Sequence, residues 1–348
     1  MLKVGIIGIG FMGYTHFEAA KSADNVTVAG IATRSAKKRD GDWTGIQGNF
    51  GPPAGQVDLS GVKTYSDYHD LLADPDIDLI DICLPTDQHH QVVMDSIAAG
   101  KATLVEKPIA VSQTEAIEMV QAAEAAQVPL LVGHVLPYFP EFQYAAQAIQ
   151  SGEYGQLQGA HFRRVICPPD WSDGMTDFRK LGGWGIDLHI HDNHFIAHAC
   201  GRPTAVFSNG LLQDGFVNHV HSSYVFGNDG PAVTTVSGGI AASGMAFGHG
   251  FELYLEDATI VFDAGTYAGE WVVNRPLSLI RNDGSVTAVD LGANDSWCAA
   301  FTLELQQAAA HVLEGADAGA LSCRVALDAL KMCYAEAESM QKKQVVEL

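Results

Sequence analysis

The sequence predicts an α/β Rossmann domain, a doubly wound parallel sheet, joined to a C-terminal α+β domain on a large, mostly antiparallel open sheet. Three observations predict it. An apolar strand at residues 2–7 runs straight into a GxGxxG turn at residues 8–13. Strand-like and helix-like stretches then alternate as far as Leu130–Val132. Beyond about residue 150 strand-like runs follow one another with few helices between them, the habit of antiparallel sheets. A chain of 348 residues suits two domains better than one, and the change of pattern divides it into 1–134 and 135–348.

The elements follow in order. Leu2–Ile7 reads as a buried strand, and a helix runs from the glycine turn to about Ala20. Val26–Thr33, Asp78–Leu84 and Ala102–Glu106 are further strands. A helix over His90–Ala99 is ended by Gly100, and another opens at Ser112, which forms a capping box with Glu115. Residues 40–61, rich in Gly and Pro, break the rhythm and read as a long loop. It is either a tolerated surface insertion or a flap near a bound cofactor or a subunit contact. In the second domain the strand-like runs are Leu157–Ile166, Val206–Leu211, Ser222–Phe226, Ala232–Gly238, Phe251–Leu255 and Thr259–Phe262. Helices over Trp297–Leu313 and Cys323–Met340 complete the pattern.

Composition narrows the function classes. With 41 acidic against 20 basic side chains the formal net charge is −21. Such a surface repels phosphate backbones and anionic lipids, so neither nucleic acid nor membrane is an expected partner. No apolar run reaches the ~18 residues of a membrane span. The six cysteines form no CxxC pair and sit in apolar surroundings, as reduced thiols do. A cytoplasmic protein is the expectation.

Gly8-Ile9-Gly10-Phe11-Met12-Gly13 lies between a strand and a helix, the context in which this motif binds a dinucleotide. Gly8 allows the tight turn, Gly10 lets a pyrophosphate approach the backbone, and Gly13 lets helix and strand pack closely. The helix N-terminus offers free N–H groups and partial positive charge. An NAD site carries Asp or Glu at the end of the second strand. Here Thr33-Arg34-Ser35 stand there instead, and a guanidinium with two hydroxyls suits a 2′-phosphate. The expected cofactor is NADP or NAD, with NADP favoured.

Several signatures in order resemble the glucose–fructose oxidoreductase/inositol dehydrogenase (Gfo/Idh/MocA) family over essentially the whole chain. They are Gly8–Gly13; Leu84-Pro85-Thr86-Asp87-Gln88-His89; Gly100-Lys101 with Glu106-Lys107-Pro108; Gly182-Gly183; and Asp187-Leu188-His189-Ile190-His191-Asp192. The resemblance implies that Lys107 lies beside the nicotinamide and that Asp187 and His191 match the family's catalytic aspartate and histidine. It also implies that Leu84, Pro85, Thr86, His89 and Glu106 border the cofactor. The chemistry is consistent with this. Oxidising a secondary alcohol needs a base for the hydroxyl proton, and histidine serves near neutral pH. A lysine near the same oxygen stabilises developing negative charge. Asp187 and His191 are four apart, so on a helix they share a face.

The cluster His189, His191, Asp192 and His194 has spacings known from zinc sites. His189 and His191 would point to different helix faces, and the resemblance implies chemistry without a metal. Tyr138, Arg163, Trp171, Asp173 and Lys180 are candidate substrate contacts, because aromatic and hydrogen-bonding side chains suit a polyol. The chain departs from the family at Gly133-His134-Val135-Leu136-Pro137-Tyr138, where a proline stands in place of an arginine. The expected activity is hydride transfer between NAD(P) and a carbinol carbon of a sugar, inositol or related polyol, by a homodimer or homotetramer. Two alternatives are a dinucleotide-binding regulator without catalysis and a net non-redox enzyme that uses bound NAD(P) transiently.

Overall fold

In the computed structural model, which describes residues 1–48, 50–168, 178–292 and 296–348 with every side chain but that of Arg179, two compact units are formed. One is Met1–Phe139 with Ala293–Leu327, the other Pro140–Gly292 with Asp328–Leu348. The division differs from a single cut at 134/135. The chain passes out of the first unit after Phe139, and residues 293–327 return to it. Periodicity reveals that a helix lies there but not which core receives its apolar face.

The first unit contains β1 (Leu2–Ile7), α1 (Phe11–Ala20), β2 (Val26–Ala32), α2 (Ala36–Arg39), β3 (Lys63–Tyr65), α3 (Tyr68–Leu72), β4 (Leu79–Ile82), α4 (His89–Ala98), β5 (Ala102–Glu106), α5 (Gln113–Ala126) and β6 (Leu130–Gly133). The strands form one six-stranded sheet in the order β3-β2-β1-β4-β5-β6, and every pair is parallel. The order reverses between β1 and β4, which opens a crevice at their carboxyl ends where ligands of such sheets bind. β4, β5 and β6 are buried throughout, the burial that makes parallel strands read as continuous apolar runs. As the sequence indicates, Gly100 takes a positive φ of 70° after α4, and the Ser112 hydroxyl accepts from the Glu115 N–H.

The stretch read as a long loop is anchored at Trp43 and Phe50. Trp43 is fully buried; its Nε1 donates to the Lys38 carbonyl at 2.8 Å, and its ring meets Phe17 edge-on at 4.9 Å. Further along, Phe50 lies 4.8 Å from the Phe11 ring and stacks on Phe301. The loop therefore lies against the first turn of α1, beside the glycine turn.

The second unit begins with α6 (Pro140–Ser151), β7 (Leu157–Ile166), α7 (Phe178–Leu181), α8 (Trp184–Asp187) and α9 (Ile190–Phe195). It continues with β8 (Ala205–Gln213), β9 (Phe216–Val225), β10 (Ala232–Gly239), β11 (Met245–Leu255), β12 (Ala258–Tyr267), β13 (Glu270–Arg281) and β14 (Val286–Ala288). Helix α10 (Ala299–Glu314) belongs to the first unit, and α11 (Cys323–Lys342) and β15 (Val346–Glu347) follow. The nine strands run β14-β13-β12-β11-β7-β10-β9-β8-β15. Only β10 and β7 pair in parallel; the others are antiparallel.

The two faces of this sheet differ, because side chains alternate along a strand. On β7, Phe162 and Arg164 turn into an aromatic core with Phe142, Phe195 and Phe251, while His161 and Arg163 turn the other way. Among the described residues no helix is long and apolar enough to cross a membrane.

Candidate dinucleotide and catalytic site

The glycine turn is built as its spacing implies. Gly8 has φ of 97°, a conformation that a side chain disfavours, and a Cβ there would lie 2.7 Å from the Cys83 carbonyl oxygen. A Cβ on Gly13 would lie 2.1 Å from the Gly8 carbonyl oxygen, so the helix reaches this close to the turn only because residue 13 has no side chain. Gly10 is the opposite case: a Cβ there would meet nothing within 4 Å. It precedes α1 with an extended backbone and supplies no side-chain cap. The first N–H groups of α1, starting at Phe11 and Met12, thus border open space. This backbone cradle fits a pyrophosphate.

Thr33, Arg34 and Ser35 follow the carboxyl end of β2. Arg34 is exposed and the two hydroxyl residues are half-buried. Ser35 caps α2 by accepting from the Lys38 N–H. Lys38 then reaches back, its Nζ donating to the Ile9 carbonyl at 2.5 Å, and Arg39 donates to the Thr33 carbonyl. Sequence reasoning missed Lys38. The signal was there: three consecutive cations, Lys37-Lys38-Arg39, close behind a strand that ends without a carboxylate.

On the same sheet edge, Leu84, Pro85 and Thr86 follow β4 and Lys107 follows β5. Lys107 is half-buried, and its backbone N–H donates to Glu106 Oε2 at 3.0 Å. His89 is buried with its ring turned to the backbone: Nδ1 lies 3.0 Å from the Pro108 carbonyl oxygen and Nε2 2.9 Å from that of Leu84. Burial lowers its pKa in spite of these two carbonyls. His89 therefore joins the segment after β4 to the segment after β5, fixing where Lys107 starts. Glu106 points down toward His16 of α1, 3.1 Å away. Tyr138 also belongs to this unit, half-buried against its core, with burial and then Glu304 raising its phenol pKa.

In the second unit Asp187 and His191 do not share one continuous helix. Asp187 closes α8, Leu188 and His189 intervene, and His191 falls in the first turn of α9. Gly183, at a positive φ of 77°, starts the first of these short helices. Both candidate side chains remain half-buried, while their neighbours are committed to structure. Arg164 Nε bonds both oxygens of Asp192 at 3.1 Å. His189 Nε2 lies 3.0 Å from Glu336 Oε1, and Tyr224 and Asn193 donate to the same carboxylate. Burial alone would lower His189, but the Glu336 carboxylate and the Asp192 hydrogen bond push it up to about 9. His189 and Asp192 thus serve a buried charge network.

The weaker candidates scatter. Arg163 pairs with Asp263 in a cavity of about 320 Å³ that His161, Glu252 and Arg275 also line. That face is opposite the one where Arg164 meets α9, so Arg163 is not beside His191; the alternation along β7 separates them. Lys180 is exposed on α7. Trp171 and Asp173 lie outside the described residues.

Residues 2–134 match the family model described as an oxidoreductase family with an NAD-binding Rossmann fold. The chain is 29% identical over 210 residues to an uncharacterized oxidoreductase, YrbE, of Bacillus subtilis, covering 60% of this chain and 57% of that protein. It is 24% identical over 214 residues to a myo-inositol 2-dehydrogenase of Thermotoga maritima, covering 61% and 59%. The matched stretch thus spans less than two thirds of these relatives. Over 99% of both chains the structure superposes on a levoglucosan dehydrogenase solved with NADH and levoglucosan, at TM-score 0.79 and 19% identity; at that identity the likeness shows the fold.

Proposed function

We propose that this chain, whose residues 2–134 match the model of an oxidoreductase family with an NAD-binding Rossmann fold, transfers a hydride between NAD(P) and a carbinol carbon of a sugar, inositol or related polyol. The observation that carries the reading is the cradle at Gly10. It is open where a pyrophosphate would lie, closed by Gly8 and Gly13 where the chain must pack, and on the same sheet edge as Lys107. The names of the curated relatives, a myo-inositol 2-dehydrogenase among them, support the substrate class.

When bound, the nicotinamide supplies the hydride acceptor or donor. The turn at Gly8–Gly13 with the first N–H groups of α1 holds the pyrophosphate. Thr33, Arg34 and Ser35 hold the adenosine ribose, with Arg34 and the neighbouring Lys38 favouring a 2′-phosphate and hence NADP. Leu84, Pro85 and Thr86 border the ring, and His89 fixes that border. Lys107 stabilises negative charge on the reacting oxygen, His191 takes the hydroxyl proton, and Asp187 orients the substrate or the histidine. The outward face of the large sheet serves pairing into a dimer or tetramer.

A screen of sugars and polyols with both cofactors, followed by nicotinamide absorbance, tests the reading. Lys107→Ala and His191→Ala are each expected to cut turnover by about 10²–10⁴-fold, the usual worth of such groups, with cofactor affinity nearly unchanged. Full activity in both variants refutes the assignment. Arg34→Ala is expected to weaken NADP binding about tenfold and NAD binding little; a wild-type preference for NAD overturns the NADP reading.

A further inference from the structure

Helix α9 is six residues long, and a helix so short does not hold its shape by itself. Contacts from outside must fix where its side chains point. From Leu188 to Ile196 every residue is buried except His191. The polar side chains on either side of that one opening are tied to other elements of the same unit.

Glu336 of α11 makes two of the ties. Its Oε1 lies 3.0 Å from His189 Nε2, and its Oε2 accepts from Asn193 Nδ2 at 2.9 Å. His189 and Asn193 stand on either side of His191 in the chain, so one carboxylate brackets it. The Tyr224 hydroxyl of β9 closes the bracket, 2.5 Å from both Glu336 Oε1 and Asn193 Oδ1. A third tie comes from β7, where Arg164 Nε meets both oxygens of Asp192. Asp192 Oδ2 in turn lies 3.5 Å from His189 Nδ1. Exposure is 0% for His189 and Asn193 and 1% for Asp192 and Glu336, so water does not compete for these bonds. Ties at His189, Asp192 and Asn193 fix both the rotation of α9 about its axis and its place along it.

We propose that Glu336 is a positioning residue for His191: it holds the first turn of α9 so that the imidazole keeps the orientation in which it takes the hydroxyl proton. The inference rests on the proposed role of His191 and deepens it by naming the enclosed group on which that role depends. Glu336 acts only through α9. Burial would lower the pKa of His189, but Glu336 and Asp192 push it up to about 9, so at neutral pH Nε2 donates to Glu336. An amide at 336 offers one acceptor where the carboxylate offers two, and one arm of the bracket weakens whichever way it turns.

The test uses the full chain and compares Glu336→Gln with Ser339→Ala, which removes a buried hydroxyl further along α11. Ser339 Oγ accepts from the Ser208 N–H and donates to the Gln344 carbonyl, contacts that lie away from α9. Both variants are expected to melt at lower temperature. With the polyol and nicotinamide that the wild type uses fastest, Glu336→Gln is expected to lower kcat about tenfold or more while KM stays within about twofold, because a misplaced base is lost in the transition state and not in binding. Ser339→Ala is expected to keep kcat within about twofold. Equal loss of kcat in the two variants, or none in Glu336→Gln, overturns the proposal and leaves the proposed function standing. Should Glu336→Gln not fold, Tyr224→Phe removes only the closing hydroxyl and is expected to lower kcat about threefold; an unchanged kcat there overturns the proposal. A second measurement needs no substrate: carbethoxylation by diethyl pyrocarbonate, mapped by mass spectrometry. In the wild type and in Ser339→Ala, His191 is expected to react and His189 and His194 to be spared; in Glu336→Gln those two are expected to react as well. A Glu336→Gln chain that still spares both overturns the proposal, whereas a wild type that oxidises no polyol counts against the proposed function.

Discussion

Gly10 and Gly13 stand three residues apart and meet different demands. A methyl group at Gly13 would drive into the Gly8 carbonyl, which is backbone and cannot step aside. Gly13→Ala is therefore expected to destabilise the first unit by about 1–3 kcal/mol, the usual cost of overpacking, and to weaken dinucleotide binding at the same time. Gly10→Val meets open space, so the melting temperature is expected to stay within about 2 °C while affinity falls tenfold or more. Thermal unfolding paired with cofactor titration separates the two; equal melting temperatures for both variants would contradict the geometry. These glycines were legible in the sequence because their spacing is local. The buried contacts of His16 with Asp81, Glu106 and Glu304 were not, since these residues come from α1, β4, β5 and α10. Asp81 was the available clue: a carboxylate inside the apolar strand Leu79-Ile80-Asp81-Ile82 must have a partner.

Among the elements, strands with one face in a core were readable, and Leu157–Ile166 is β7 to the residue. β3 and most of β13 were not readable. The first is three residues long, and the second is exposed along its first seven residues, including Trp271, Val272 and Val273, so neither alternates in the way the eye seeks. The loop at 40–61 was recognised as a loop, but its anchor was not. Trp43→Ala removes a fully buried indole from beneath α1 and is expected to cost the first unit about 3–5 kcal/mol in denaturant unfolding.

At α9 and α11, His189 and Glu336 make stability depend on pH. His189 is raised from 6.5 to about 9 when folded. Its contribution is therefore complete below about pH 6.5 and fades as pH rises through 9, on the order of 3 kcal/mol. Glu336 is lowered, chiefly because His189 overcomes the burial that would raise it. Its contribution is present above pH 4.5 and is lost on acidification. Unfolding of the wild type relative to His189→Asn, followed from pH 6 to 10, should show the difference shrink with rising pH; a pH-independent difference would contradict the pairing.

For the molecule as a whole, the acidic balance and the two-sheet plan were legible, whereas the discontinuity of both units was not. Helix α10 puts Phe301, Leu305, Ala308 and Ala309 into the same core as Leu2, Val4 and Ile6, and the Thr302 hydroxyl donates to the Ala19 carbonyl. A fragment ending at residue 134 lacks that layer. It is expected to bind a hydrophobic dye and to melt without cooperativity, while residues 1–139 joined by a short linker to 293–327 are expected to melt as one transition. Cooperative melting of the shorter fragment would show that α10 is dispensable.

The interleaving also sets an order of events at the ribosome. Residues 1–139 cannot complete their core until residues up to 327 have been synthesised, because contacts so distant in sequence form only when both partners exist. At translation rates of about 5–20 residues per second, the apolar side of the nascent sheet stays uncovered for roughly ten seconds or more. During that interval it is open to chaperones and proteases, and a pause in translation before α10 lengthens the exposure.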